Sequence, residues 1–402
     1  MSVTQITDDN IDTGIDTSKC IGAIGAMDGS ALTGLNVGTS LLKNGFNPAV
    51  DTNPADGVGA IWINTVTGQM FSCTDATTDQ NTWTNMGSGT GHITYVPPVY
   101  QGTQYGYVSG GTGASVERFS FTTDENSYYI GDLDTPRVAT TGVSSYTHGY
   151  AAGHNSSNMN SIIDKFSFYG SYTATFVGSL SSPNWHASGS SSSTHGYAAG
   201  GHVSGPPADS LSAINKFSFA ADGNSSNIGN LTISNGRTYV AGHSSTTHGY
   251  SCGGLEIYPQ GGNGALSSVD KFSFSADGNA VAVGNLSRLK YQPAGCSSAT
   301  HAYNAGGYVQ ASVPWGGSSG HTTETDKFAF ASDGNAAIVS YLSQSGYGLA
   351  GSSSVNNGYA IGGSPSGALM DSIQKISFIS DTTSVVIGTM TTGRYLLSAH
   401  QV

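Results

Sequence analysis

From residue 105 onward the chain repeats one pattern of apolar and polar positions. A Tyr marks each copy (Tyr107, Tyr150, Tyr197, Tyr250, Tyr303 and Tyr359), preceded by Gly or, once, by Ala302. Three residues after each Tyr stands Gly110, Gly153, Gly200, Gly253, Gly306 or Gly362, and the next residue is again Gly except at His154. Downstream comes a tetrad of basic, apolar, small and Phe residues. The copies are Arg118 to Phe121, Lys165 to Phe168, Lys216 to Phe219, Lys271 to Phe274, Lys327 to Phe330 and Lys375 to Phe378. Such short alternation predicts a strand. Fourteen residues after the first apolar member stands Leu133, Leu180, Leu231, Leu286, Leu342 or Met390, and 17 residues (19 in one copy) then lead to the next Tyr. The large length variation therefore falls between the Tyr-x-x-Gly-Gly segment and the tetrad.

Each copy holds four β-like segments, illustrated by Ala294 to Ser298, Gly249 to Gly254, the tetrad, and Ala280 to Gly284. Asp222-Gly223, Asp277-Gly278 and Asp333-Gly334 fall between third and fourth segments, where Asp-Gly signals a hairpin. A unit of about 50 residues with four strands, repeated six times, has the size of a propeller blade.

The order of Gly-Gly, an Asp/Asn-basic-aromatic strand, an apolar strand ending near a Leu and a basic residue before the next strand resembles the kelch repeat of β-propellers. The resemblance spans about 300 residues and departs from kelch in one respect: the fourth-strand Trp is replaced by small or aliphatic residues such as Val283 and Ile338. It implies an all-β fold, a six-bladed propeller over residues 93–402. Residues 394–402 align with Lys290 to Ser298, so the C-terminal strand is expected to be the innermost strand of the blade formed by residues 103–135, closing the ring. The rival for that place, Thr94 to Gly102, carries Pro97-Pro98, which is disfavoured in a central strand.

Composition narrows the function classes. Of 402 residues 57 are Gly, yet 37% are hydrophobic and 10% aromatic, which excludes both collagen and a disordered linker. A net charge of −12 argues against nucleic acid or an anionic membrane as partner. No apolar run has the length of a membrane span, and no secretory signal is visible. The four cysteines are too scattered for a disulfide framework.

Residues 1–92 do not fit the repeat. Residues 1–45 read as an extended anchoring segment and 46–92 as a small β-hairpin domain around Trp62, Phe71 and Trp83. Thr4 to Ile11, Asp28 to Leu35, and Gly59 to Thr65 with Thr67 to Phe71 resemble segments of bacteriophage tail-fibre and tail-associated proteins. That resemblance implies a virion protein whose N-terminal segment binds other virion proteins, whose propeller contacts a host-surface glycan or protein, and which is a homo-oligomer in the particle. The alternatives are a purely structural tail or capsid-decoration propeller, and a cellular kelch-type interaction module.

Candidate chemistry is sparse. His148, His195, His248 and His301 share one repeat position and could ring the axis, but Thr-His-Gly reads as a repeated turn between first and second strands, with no metal expected. Ten of the 13 Lys and Arg occupy two repeat positions, the tetrad base and Arg137, Arg237, Lys290 or Arg394 before first strands; these are expected to pair between blades. Cys252 replaces a small or apolar residue and reads as an inert thiol. No HExxH or P-loop is present, so neither enzyme nor cofactor is expected. The variable loops are the expected ligand or receptor surface. Their candidate contact residues are Tyr258, Tyr308, Trp315 and His321, while the six repeat tyrosines are expected to be structural.

Overall fold

The computed structural model describes residues 41–87, 98–111, 113–153, 160–170, 172–203, 209–257, 263–311 and 319–402. The chain divides into two compact units, 1–96 and 97–402. The described residues contain strands and turns and no helix.

The first unit holds one four-stranded sheet. Leu41–Asn44 runs parallel to Ile61–Asn64, and Met70–Asp75 and Thr82–Asn85 follow antiparallel. The sequence reading assigned residues 41–45 to an extended segment and the rest to hairpins. The added parallel strand is consistent with the need to cover Trp62, Phe71 and Trp83, which form the core with Ala60 and Cys73.

The second unit contains six four-stranded antiparallel sheets, I to VI, each with the same strand order. Sheet I comprises Leu397–Gln401, Tyr105–Gly110, Ser115–Ser120 and Tyr128–Asp132. The first strands of sheets II to VI are Thr141–Ser144, Ser188–Ser191, Ala241–Ser244, Ala294–Ser297 and Ala350–Ser353. The second strands start at His148, His195, His248, His301 and Asn357, so those histidines open a strand; the turn before them is held by Ser145, Ser192, Ser245 and Ser298, whose Oγ accepts the histidine N–H. Every pairing of third with fourth strand carries a register shift at one repeat position, from Val116/Glu117 to Ile373/Gln374. Such a bulge bends the outer strand.

Four sets of contacts run between successive sheets, the last two at five of the six junctions. The repeat tyrosines are buried, and each stacks on the last Phe of the following tetrad: Tyr107 on Phe168, Tyr150 on Phe219, Tyr197 on Phe274, Tyr250 on Phe330, Tyr303 on Phe378 and Tyr359 on Phe121. First strands approach so closely that a Cβ on Gly242 would lie 2.1 Å from the Gly189 carbonyl oxygen. A serine at the end of the first strand of sheets II to VI accepts the N–H of its counterpart in the preceding sheet, from Gln401 to Ser144, then Ser144 to Ser191, Ser191 to Ser244, Ser244 to Ser297 and Ser297 to Ser353. Tetrad lysines pair with carboxylates on the next sheet: Lys165 with Asp222, Lys216 with Asp277, Lys271 with Asp333, Lys327 with Asp381 and Lys375 with Asp124.

The second set of bases departs from the expected pairing between repeats. Arg137, Arg237, Lys290 and Arg394 reach acids in the third strand of their own sheet, Asp164, Asp270, Asp326 and Glu117, at 2.5–2.9 Å with both side chains buried. Each base immediately precedes a first strand, and a buried position at that end leaves it no solvent to turn to. Sheets III and VI carry Asn184 with Asn215 and Gly346 with Gln374 at these positions, so charge is present in pairs or absent in pairs.

Candidate functional site

Just before each first strand, one residue takes a left-handed backbone: Ala139, His186, Tyr239, Gln292, Gly348 and Leu396, with φ between 53° and 66°. Five of the six are not glycine, a conformation costing roughly 1–2 kcal/mol each. A cycle of backbone hydrogen bonds offsets that cost. Ala139 N–H donates to Leu396 O, His186 to Ala139, Tyr239 to His186, Gln292 to Tyr239, Gly348 to Gln292 and Leu396 to Gly348, at 2.7–3.1 Å.

Side chains from this cycle and from the loops after the Gly-Gly turns make a continuous aromatic band across sheets III to VI. It begins at Trp185, His186 and His202, where the imidazoles stack at 5.6 Å and His202 Nδ1 lies 2.8 Å from Thr238 Oγ1. Tyr239 packs on His186 at 4.0 Å and meets Tyr291 at 6.3 Å. Tyr291 stacks on Tyr308 at 5.1 Å, and Tyr308 meets His321 and Tyr347 edge-on. His321 stacks on Tyr347 with the rings 8° from parallel.

Backbone geometry sets these positions. The Gly-Gly turns have positive φ at both residues, as at Gly306 and Gly307, which directs the outgoing loop back over the segment before the first strand. Tyr308 thereby pairs with Tyr291 on one side and His321 on the other in a small three-stranded sheet. Trp185 with His202, Thr238 with Leu255 and Tyr347 with Ser364 repeat the contact as single bridges.

The two described residues of the predicted contact set, Tyr308 and His321, are therefore brought together; Tyr258 and Trp315 lie outside the described residues. The sequence reading missed Trp185, His186, Tyr239, Tyr291 and Tyr347, which sit before first strands. Their signal was an aromatic or His one or two residues after the basic position in sheets III to VI. Tyr239, Tyr291, Tyr308, His321 and Tyr347 are half-buried, so part of each residue remains open to solvent. Burial, reinforced by Tyr308 and Tyr347, pushes the Tyr291 phenol up to about 12, keeping it a neutral hydrogen-bond donor. Phenol and imidazole rings with accessible faces stack on sugar rings or apolar side chains.

The repeat histidines do not converge. In each, Nδ1 lies 2.8 Å from the hydroxyl of the preceding Thr (Thr147, Thr194, Thr247 or Thr300), and burial followed by the tetrad lysine lowers its pKa. Among the described residues no group of three or more His, Cys, Asp or Glu is placed to hold a metal ion. Cys252 is fully buried, and burial drives its thiol pKa upward, the reverse of an activated nucleophile. Neither a protein-family model nor a curated protein matches the chain.

Proposed function

We propose that the six sheets are the blades of a six-bladed, kelch-like β-propeller, closed by the C-terminal strand, in a bacteriophage virion protein of the tail-fibre or appendage type. Residues 1–45 attach it to other virion proteins, and the propeller meets the host surface. Support for the ring comes from the Tyr–Phe stacks and the left-handed cycle, both of which return from the last sheet to the first. The N-terminal resemblance supports the virion assignment.

The observation that carries host contact is the aromatic band, because a fold held by buried repeats has no need of eight half-buried or stacked aromatic and imidazole rings, three on its variable loops and five just before first strands. Purified protein added to host cells before phage is expected to block adsorption. Tyr308→Ala and Tyr347→Ala, with unchanged melting temperatures, are expected to abolish the block; blocking by these variants at the wild-type concentration would refute the reading.

A second reading, a propeller serving only as structural packing in the virion, is favoured by a different surface. Fourth strands of sheets VI, I and II expose Val385, Val386, Tyr128, Tyr129 and Phe176, an apolar edge suited to neighbouring chains. It predicts that the protein binds no host cell and that crosslinks in the particle map to these residues.

A further inference from the structure

Residues 97–402 contain 11 Lys and Arg, and ten of them hold a carboxylate within 3.0 Å. Arg118 is the remaining one and forms no such pair with a described residue. The reason lies in the repeat. Five residues after the first apolar tetrad member the chain has Asp124, Asp222, Asp277, Asp333 and Asp381, each the partner of a lysine on the preceding sheet, but in the copy that follows Arg118's the same sequence position is Ser171.

Tyrosines surround the uncompensated guanidinium instead. It lies 4.2 Å from the Tyr105 ring centroid, 5.0 Å from that of Tyr128 and 5.7 Å from that of Tyr172. It donates to the Tyr128 hydroxyl through Nε at 2.7 Å and through one terminal nitrogen, and to the Tyr172 hydroxyl at 3.2 Å. Both phenol oxygens accept from a cation, so their own O–H groups are polarised and left to donate outward. Tyr128 is exposed, as are its sequence neighbour Tyr129 and Tyr169. The carboxylates of Arg118's own strand and of the next are taken: Glu117 is buried and paired with Arg394, and Asp132, opposite Ser115 at the far end from Arg118, accepts from Tyr129.

We propose that Arg118, Tyr105, Tyr128 and Tyr172 form a binding site for the carboxylate of an acidic saccharide. A carboxylate replaces the missing aspartate, taking hydrogen bonds from the polarised phenols next to the guanidinium, and the sugar ring packs on the exposed tyrosine faces. An aliphatic acidic peptide has the charge but no flat sugar face to lay against the three tyrosine rings. The site stands on Arg118's surroundings; the source of its sugar, the host envelope, rests on the function proposed above.

Full-length protein is titrated with a galacturonate trisaccharide, the neutral galactose trisaccharide and a hexaglutamate peptide. The expected result is uronate binding that weakens with salt, with at least tenfold weaker binding of the neutral sugar and the peptide. Arg118→Gln is expected to weaken uronate binding at least tenfold while the melting curve stays within a few degrees. Ser171→Asp, which writes the missing carboxylate back into the repeat, is expected to do the same from the opposite direction. Peptide binding as tight as uronate binding overturns the saccharide assignment, as does wild-type uronate affinity in either variant or no uronate binding at all. Adsorption blocking by the same protein samples is scored separately, so a failed titration with intact blocking sinks this site and leaves the host-contact reading standing.

Discussion

The ring of Tyr359 stacks on that of Phe121 with centroids 4.8 Å apart, joining residues 238 positions apart in the chain. The same stack occurs between neighbours elsewhere in the repeat, but this copy links the last sheet to the first. It lies in a core with Val108, Phe119, Ile361, Ile373, Met390 and Leu397, drawn from both ends of the second unit.

Tyr359→Ala is therefore expected to destabilise the second unit by about 3–5 kcal/mol, the range for removing a fully buried aromatic ring. Tyr359→Phe keeps the stack and is expected to cost far less. Urea denaturation followed by near-ultraviolet dichroism checks both. Equal losses for the two variants would mean that the hydroxyl, and not the stacked ring, holds the junction.

The buried ion pairs allow a sharper test because the repeat contains its own control. Asp270 receives Thr232 N–H at 2.7 Å while pairing with Arg237; in sheet III, Asn215 receives Ser181 N–H at 2.9 Å and faces no buried arginine from its own repeat. The backbone cap thus survives when the charge is removed. Asp270→Asn alone leaves Arg237 buried without a counter-charge and is expected to cost about 3–5 kcal/mol. Arg237→Asn with Asp270→Asn reproduces the sheet III pairing, and the double variant is expected to be more stable than Asp270→Asn alone. A double variant at least as unstable as the single would show that the arginine's own hydrogen bonds to Ser251, Gly253 and Ser268, not the charge balance, set the cost.

How far the sequence could be read follows from which contacts repeat. The tyrosines, the tetrad and the Leu recur at fixed spacing because each occupies one place between successive sheets, so strands and sheet order were legible. The pairing of Lys165 with Asp222 was legible as a class, since both positions recur. Whether Arg137 would pair within or between repeats was not, because spacing alone does not tell which of two adjacent third strands a base will reach. The left-handed cycle was hidden for a different reason: Ala139, His186, Tyr239, Gln292 and Leu396 share a backbone conformation and no side-chain chemistry. The aromatic band rides on that cycle, so only its loop members Tyr308 and His321 were found. Arg118 fits the tetrad rule, and its missing partner shows only when Ser171 is set beside the five aspartates.

His243 and His400 occupy the same place in the first strands of sheets IV and I and give the protein an expected weakness in acid. Each is fully buried with both ring nitrogens in contact: His243 Nδ1 donates to Cys296 O and its Nε2 lies against the Asn304 side-chain amide, while His400 Nδ1 donates to Val143 O and its Nε2 accepts from Ser109 Oγ. Burial lowers each pKa to about 4. The unfolded chain has the ordinary value near 6.5, so it binds protons that the folded chain refuses. Their stabilisation is accordingly complete above pH 6.5 and falls as pH drops toward 4. Between pH 7.5 and 5.5 the loss is about 1.4 kcal/mol for each histidine. The partly exposed repeat histidines shift in the same direction, whereas Asp164, raised by burial, acts oppositely. Melting curves at the two pH values are expected to show the drop in wild-type protein and a clearly smaller one in a His243→Gln, His400→Gln double variant. An undiminished drop in that variant would move the acid sensitivity to the strand-opening histidines, each bonded to its neighbouring threonine.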